Sequence, residues 1–159
     1  MASRLRFHAI ATATLAAGVV LLVGGFALVR SARRSDREPE LAIYMGELQH
    51  HTHKLNLAIQ SENVALADFY LHEVEEVAEQ IEQLFPQHDG HRVGDLARAI
   101  LEPQLVALRT TLERSNWDQS RTGFSSLIAA CNQCHSATSH GFIRIEATTA
   151  NPFNQSFAN

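Results

Sequence analysis

Apolar and polar positions divide the chain into one unbroken apolar run followed by four amphipathic stretches and a tail. From Ala9 to Val29 no residue carries a charge. At roughly 1.5 Å of rise per residue such a run crosses a ~30 Å hydrocarbon core as a helix. Arg4 and Arg6 precede it, and Arg30, Arg33 and Arg34 follow it. It competes with a cleaved secretory signal, which calls for a shorter apolar core and a small-x-small site. No Ala-x-Ala site ends the run, so a retained transmembrane anchor over residues 1–38 is the expectation. Both flanks are basic, so charge alone does not orient the anchor.

Beyond residue 38 the period changes. Leu41, Tyr44, Leu48, Leu55 and Ile59 recur at three- and four-residue steps, which predicts a helix over about 40–60. A second stripe, from Leu66 through Phe69, Tyr70, Val74, Val77 and Ile81 to Leu84, predicts another helix, with Ser61 as its cap. Its glutamates read as a solvated face. Pro86, His88, Asp89 and Gly90 break the pattern, and His88 and His91 read as exposed loop residues. A third helix is expected over about 93–114, kinked or split by Pro103. The fourth starts at Ser115 or Asn116 and carries Trp117, Phe124, Leu127, Ile128 and Cys131 on one face. The tail, 141–159, reads as extended because Pro152 forbids a helix, and as packed, because Phe153 and Phe157 are costly to leave in water.

The expected fold is all-α: an up-down-up-down four-helix bundle over 39–140, behind an N-terminal transmembrane helix and ahead of an extended tail. Residues 1–38 hold six arginines against Asp36 and Glu38, a net of +4; the whole chain is −4, so the remainder is −8. An acidic domain of this kind does not suit nucleic acid. It suits a redox partner protein with a basic docking patch.

The only two cysteines lie in Cys131-Asn132-Gln133-Cys134-His135. This is the attachment pattern of one covalent haem c. Two thiols about one helical turn apart reach the two vinyl groups of the porphyrin, and the adjacent histidine coordinates the iron. A thioredoxin-like pair needs a βαβ setting, and a zinc site needs two further ligands. Haem attachment of this type takes place on the periplasmic side in bacteria. The expected location is therefore the inner membrane, with the domain in the periplasm.

A motif that closes the fourth helix of a bundle resembles the cytochrome c-prime superfamily over about 41–135. The specific part of the likeness is Cys131-Asn-Gln-Cys134-His135. The resemblance implies His135 as the proximal ligand, with the distal face toward the first helix and the sixth position empty or filled by methionine. The tail, His140-Gly-Phe-Ile-Arg-Ile and onward, extends past the superfamily's usual end. With His53-Lys-Leu and Ala67-Asp-Phe-Tyr-Leu-His-Glu, it is similar to a membrane-anchored bacterial subgroup for which the likeness supplies no activity.

The first helix is crowded with candidates for the sixth position: His53, which stands in a matching segment, His51 and Met45. On a helical wheel His51 and Met45 lie near the edges of the inward face, while His50 and His53 point away. Arg144 is a candidate partner for a haem propionate. His140 is a candidate for the haem edge, and Lys54 for an ion pair with Glu73. No acid–base pair or nucleophile suggests an enzyme. An electron carrier is the expected function, with a gas-binding (NO or CO) haem protein or sensor as the alternative. Bundles of this kind often pair, so a homodimer is an open candidate.

Overall fold

The computed structural model describes residues 40–159. The apolar run at 9–29 lies outside the described residues. Among those described, no helix is long and apolar enough to cross a membrane.

The described chain is all-helical, with no strand. Helix α1 spans Leu41–Gln60 and α2 spans Val64–Leu84. A third rod is built in three parts: α3 (Val93–Leu96), a π-helical turn (Ala97–Leu101) and α4 (Glu102–Glu113). Helix α5 spans Trp117–Ala137. Each rod packs on the next, and α5 closes the bundle against α1. Helices α2 and α5 stand on the diagonal, sharing at most a marginal contact.

The periodic leucines do what their spacing requires. Leu55 and Ile59 from α1, Leu71 and Ile81 from α2, Leu108 from α4 and Leu127 from α5 are completely or almost completely buried. Phe69, expected in the α2 stripe, is instead 50% exposed, and the small Ala67 and Ala78 take inward places.

Two asparagines set the corners. After α1, Glu62 adopts φ 54° and the Asn63 N–H donates to the Ala58 carbonyl at 3.0 Å. After α4, Ser115 adopts φ 50° and the Asn116 N–H donates to Thr111 at 3.0 Å. These are Schellman closures, in which a left-handed residue lets the chain return its N–H groups to the last helical carbonyls. The same asparagines then cap the next helix, accepting from Leu66 N–H at 3.1 Å and Gln119 N–H at 3.2 Å. The α2 cap is thus Asn63 and not Ser61, which belongs to the end of α1.

The break at Pro103 takes the form of the π-helical turn just upstream. Proline has no N–H for the carbonyl four residues back, and the helix widens before it: the Glu102 N–H reaches the Ala97 carbonyl, five residues away. Ala97 and Leu101 of this turn face a cavity described below.

Between α2 and α3 the chain turns sharply. His88 and His91 exchange both backbone hydrogen bonds at 2.9 Å, across Asp89 (φ 48°) and Gly90 (φ 79°). Positive φ at both central residues defines a type I′ turn, which favours glycine at its second place. The hairpin is tied to the bundle by Gly94, whose N–H donates to Phe85 at 3.1 Å. A Cβ on Gly94 would stand 2.8 Å from the Glu82 carbonyl oxygen, a backbone atom that cannot step aside. Gly94→Ala is therefore expected to cost about 1–3 kcal/mol through overpacking. Thermal denaturation should show the loss as a midpoint lowered by several degrees, and an unchanged midpoint would refute the close approach.

Candidate functional site

Helix α5 delivers the chemistry. Cys131 and Cys134, three residues apart, share one side of its last turns, and both are free thiols. The helix closes with Ser139 at φ 64° and the His140 N–H donating to the His135 carbonyl at 2.7 Å. This third Schellman closure folds the tail back over the motif. Asn132, inside the motif, then holds the tail with both ends of its amide. Its Nδ2 donates to the Ile145 carbonyl at 2.9 Å, and its Oδ1 accepts from the Ile145 N–H at 2.8 Å.

That return places the Ile143 carbonyl 3.0 Å from Nδ1 of His135. A carbonyl only accepts, so Nδ1 donates to it, and Nε2 is the ring nitrogen left to meet a metal. A second-shell carbonyl of this kind orients a ligating imidazole.

Cys131, Cys134 and His135 line a cavity of about 460 Å³ at one end of the bundle. The volume lies within the roughly 300–1,000 Å³ of cofactor sites. Its walls are mostly apolar: Leu48 from α1, Ile81 from α2, Val93 and Leu101 from the third rod, and Ile143 and Ile145 from the tail. Burial pushes the Cys131 thiol up to about 11, with the neighbouring Cys134 adding to the shift, and burial raises Cys134 too. Reactive thiol pairs are shifted the other way. The pair is thus not poised to cycle as a thiolate.

The candidates for the sixth position separate. Met45 lines the cavity with His135. His53 does not: its Nε2 meets the Ala150 carbonyl at 2.8 Å and its ring packs on Phe153 at 5.0 Å. His51 lies at the α1–α2 contact, its Nε2 3.8 Å from the Glu73 carboxylate and its buried Nδ1 without a partner. Lys54, expected to pair with Glu73, sits over the rings of Tyr70 and Phe153 at 5.3 and 5.0 Å. Arg144 is exposed and borders a separate small polar concavity with Gln133 and Ser136.

His88 and His91, expected as exposed loop residues, are half-buried in whole-residue terms and line the cavity. His140 lines it too, with Nδ1 2.7 Å from the Thr138 carbonyl. The signal for the hairpin histidines was topological: short connections bring the start of α1, the α2–α3 loop and the end of α5 to one end of a bundle.

Among the described residues no cluster of three or more His, Cys, Asp or Glu side chains forms a metal cage, as a zinc site would require. An apolar slot, two thiols on one helical side and one carbonyl-oriented imidazole suit a porphyrin that brings its own four nitrogen ligands. No family model matches the chain, and no curated protein and no solved structure matches it.

Proposed function

We propose that this protein is a monohaem c-type cytochrome that carries electrons, tethered to the inner membrane by its N-terminal apolar run with its bundle in the periplasm. The observation that carries the reading is the pairing of two cavity-lining thiols with a His135 ring whose Nδ1 is committed to the Ile143 carbonyl. Bound haem would supply a ferric–ferrous couple. Each remaining task falls to the chain. Cys131 and Cys134 fix the macrocycle's edge, His135 Nε2 holds the iron, and the aliphatic walls exclude water. The short turns at residues 61–63 and 114–116 support an up-down-up-down course and, with the motif at the close of the last helix, the likeness to the cytochrome c-prime superfamily.

The sixth position decides between the two functional readings. Of the three α1 candidates, Met45 is the one that borders the cavity. An electron carrier of this kind gives a low-spin ferrous spectrum that carbon monoxide leaves unchanged. Rapid binding of carbon monoxide or nitric oxide to a high-spin ferrous form would replace the carrier by a gas-binding protein. The measurement is an optical titration of the reduced protein with each gas.

A further inference from the structure

The α2–α3 hairpin puts two imidazoles on the cavity wall, apart from His135 and His140, which stand at the close of α5. No lysine, arginine, aspartate or glutamate is among the residues lining the cavity. A haem brings two propionates, and buried anions need donors. The macrocycle's chemistry says where they must point. The thioethers form on the vinyl edge, and the propionates leave from the edge across the ring. Cys131 and Cys134 fix the vinyl edge to α5. Helix α2 is the rod diagonal to α5, and His88 and His91 stand just beyond its end. The propionate edge of a haem held by these cysteines would lie toward the hairpin. The His88 side chain is 39% exposed, at the rim, where carboxylates keep part of their hydration.

The hairpin is rigid enough for the task. Directly opposed residues of a hydrogen-bonded pair carry their side chains on one face of the ribbon. The type I′ turn fixes His88 opposite His91, and Phe85 supports His88 at 6.1 Å while stacking edge-on against Tyr44 of α1 at 5.4 Å. Exposed Asp89 lies 3.5 Å from His88 Nε2.

Resting on the haem reading, we propose that His88 and His91 form the propionate clamp of this protein, each donating a ring N–H to a propionate carboxylate. Donors that compensate the propionates favour the ferrous form, because uncompensated carboxylates stabilise the extra positive charge of ferric iron.

The test uses the full-length, haem-loaded chain and its His88→Ala, His91→Ala variant. Redox titration should show a lower midpoint potential, while absorption and electron paramagnetic resonance spectra keep the wild-type axial ligation. His88→Lys with His91→Lys, which puts ammonium donors where the imidazoles stood, should return the potential toward wild type. An unchanged potential in the alanine variant overturns the clamp. A change of spin state also overturns it, since one of these imidazoles would then be an iron ligand. If the alanine variant takes up no haem, the lysine variant decides: recovered loading supports the clamp, and continued loss overturns it. A wild-type chain without covalent pigment would overturn the haem reading itself, a result separable from all of these.

Discussion

A chain carrying Cys131→Ala and Cys134→Ala together, made in a cytochrome-maturing host, should hold no covalent pigment. The two sulfurs are the chain's only cysteines, so no other residue can substitute for them. Both border the cavity that also holds His135, so on the proposed reading the double variant would lose the thioethers while keeping the axial ligand. The double variant therefore separates attachment from ligation. Any haem it retains is held by the His135 ring and the apolar walls, and acid–acetone strips it. Each single variant keeps one link, and its covalent pigment should fall severalfold without vanishing. Haem staining after denaturing electrophoresis, with the mass of the intact chain, reads all three. Wild-type amounts of covalent pigment in the double variant would refute the site.

Phe157→Ala should lower stability by about 3 kcal/mol, within the range of about 3–5 for a buried aromatic cut to alanine. Phe157 lies far along the tail yet is only 5% exposed, and its ring packs against Tyr70 at 6.1 Å and Phe153 at 6.4 Å. It is the most deeply buried anchor of a strap that also packs Ile145 and Phe153 against the core and is tied by hydrogen bonds. Asn56 Nδ2 donates to Thr148 at 2.7 Å, Tyr70 Oη to Gln155 at 2.7 Å and Asn63 Nδ2 to Phe157 at 3.3 Å. Such bonds contribute about 0.5–1.5 kcal/mol each. Undocking of the strap caps the loss, which is why the low end of the range applies. Thermal denaturation should register a fall of about 10 °C, and limited proteolysis should cut the tail sooner. Phe142→Ala is the control: its ring is 80% exposed, and its effect should stay within about 0.5 kcal/mol. Equal behaviour of the two variants would show that the strap is not anchored at Phe157.

The helices were legible because burial enforces a period, and the attachment motif was legible because its chemistry fixes its spacing. The wheel for α1 set His53 off the inward stripe, and the cavity lining agrees. What the wheel lacked was the tail: Leu48 and Leu55 pack into the bundle, while buried Asn56 donates to the tail at Thr148. His53 also meets the tail, so its position off the main stripe reflects the strap and not the cavity. The cap of α2 was misplaced by two residues because a Schellman closure uses up Ser61 and Glu62 before the next helix can begin. His88 and His91 carry no local periodicity at all. Their placement comes from which ends of the rods meet, a property of the assembled bundle.

The Ile143 carbonyl that steers the His135 ring belongs to chain made after the last helix. On the proposed reading, the tail therefore governs the metal's imidazole from outside the helices: whatever loosens the wrap also frees the ring, so the tail's hold and the orientation of the ligand rise and fall together.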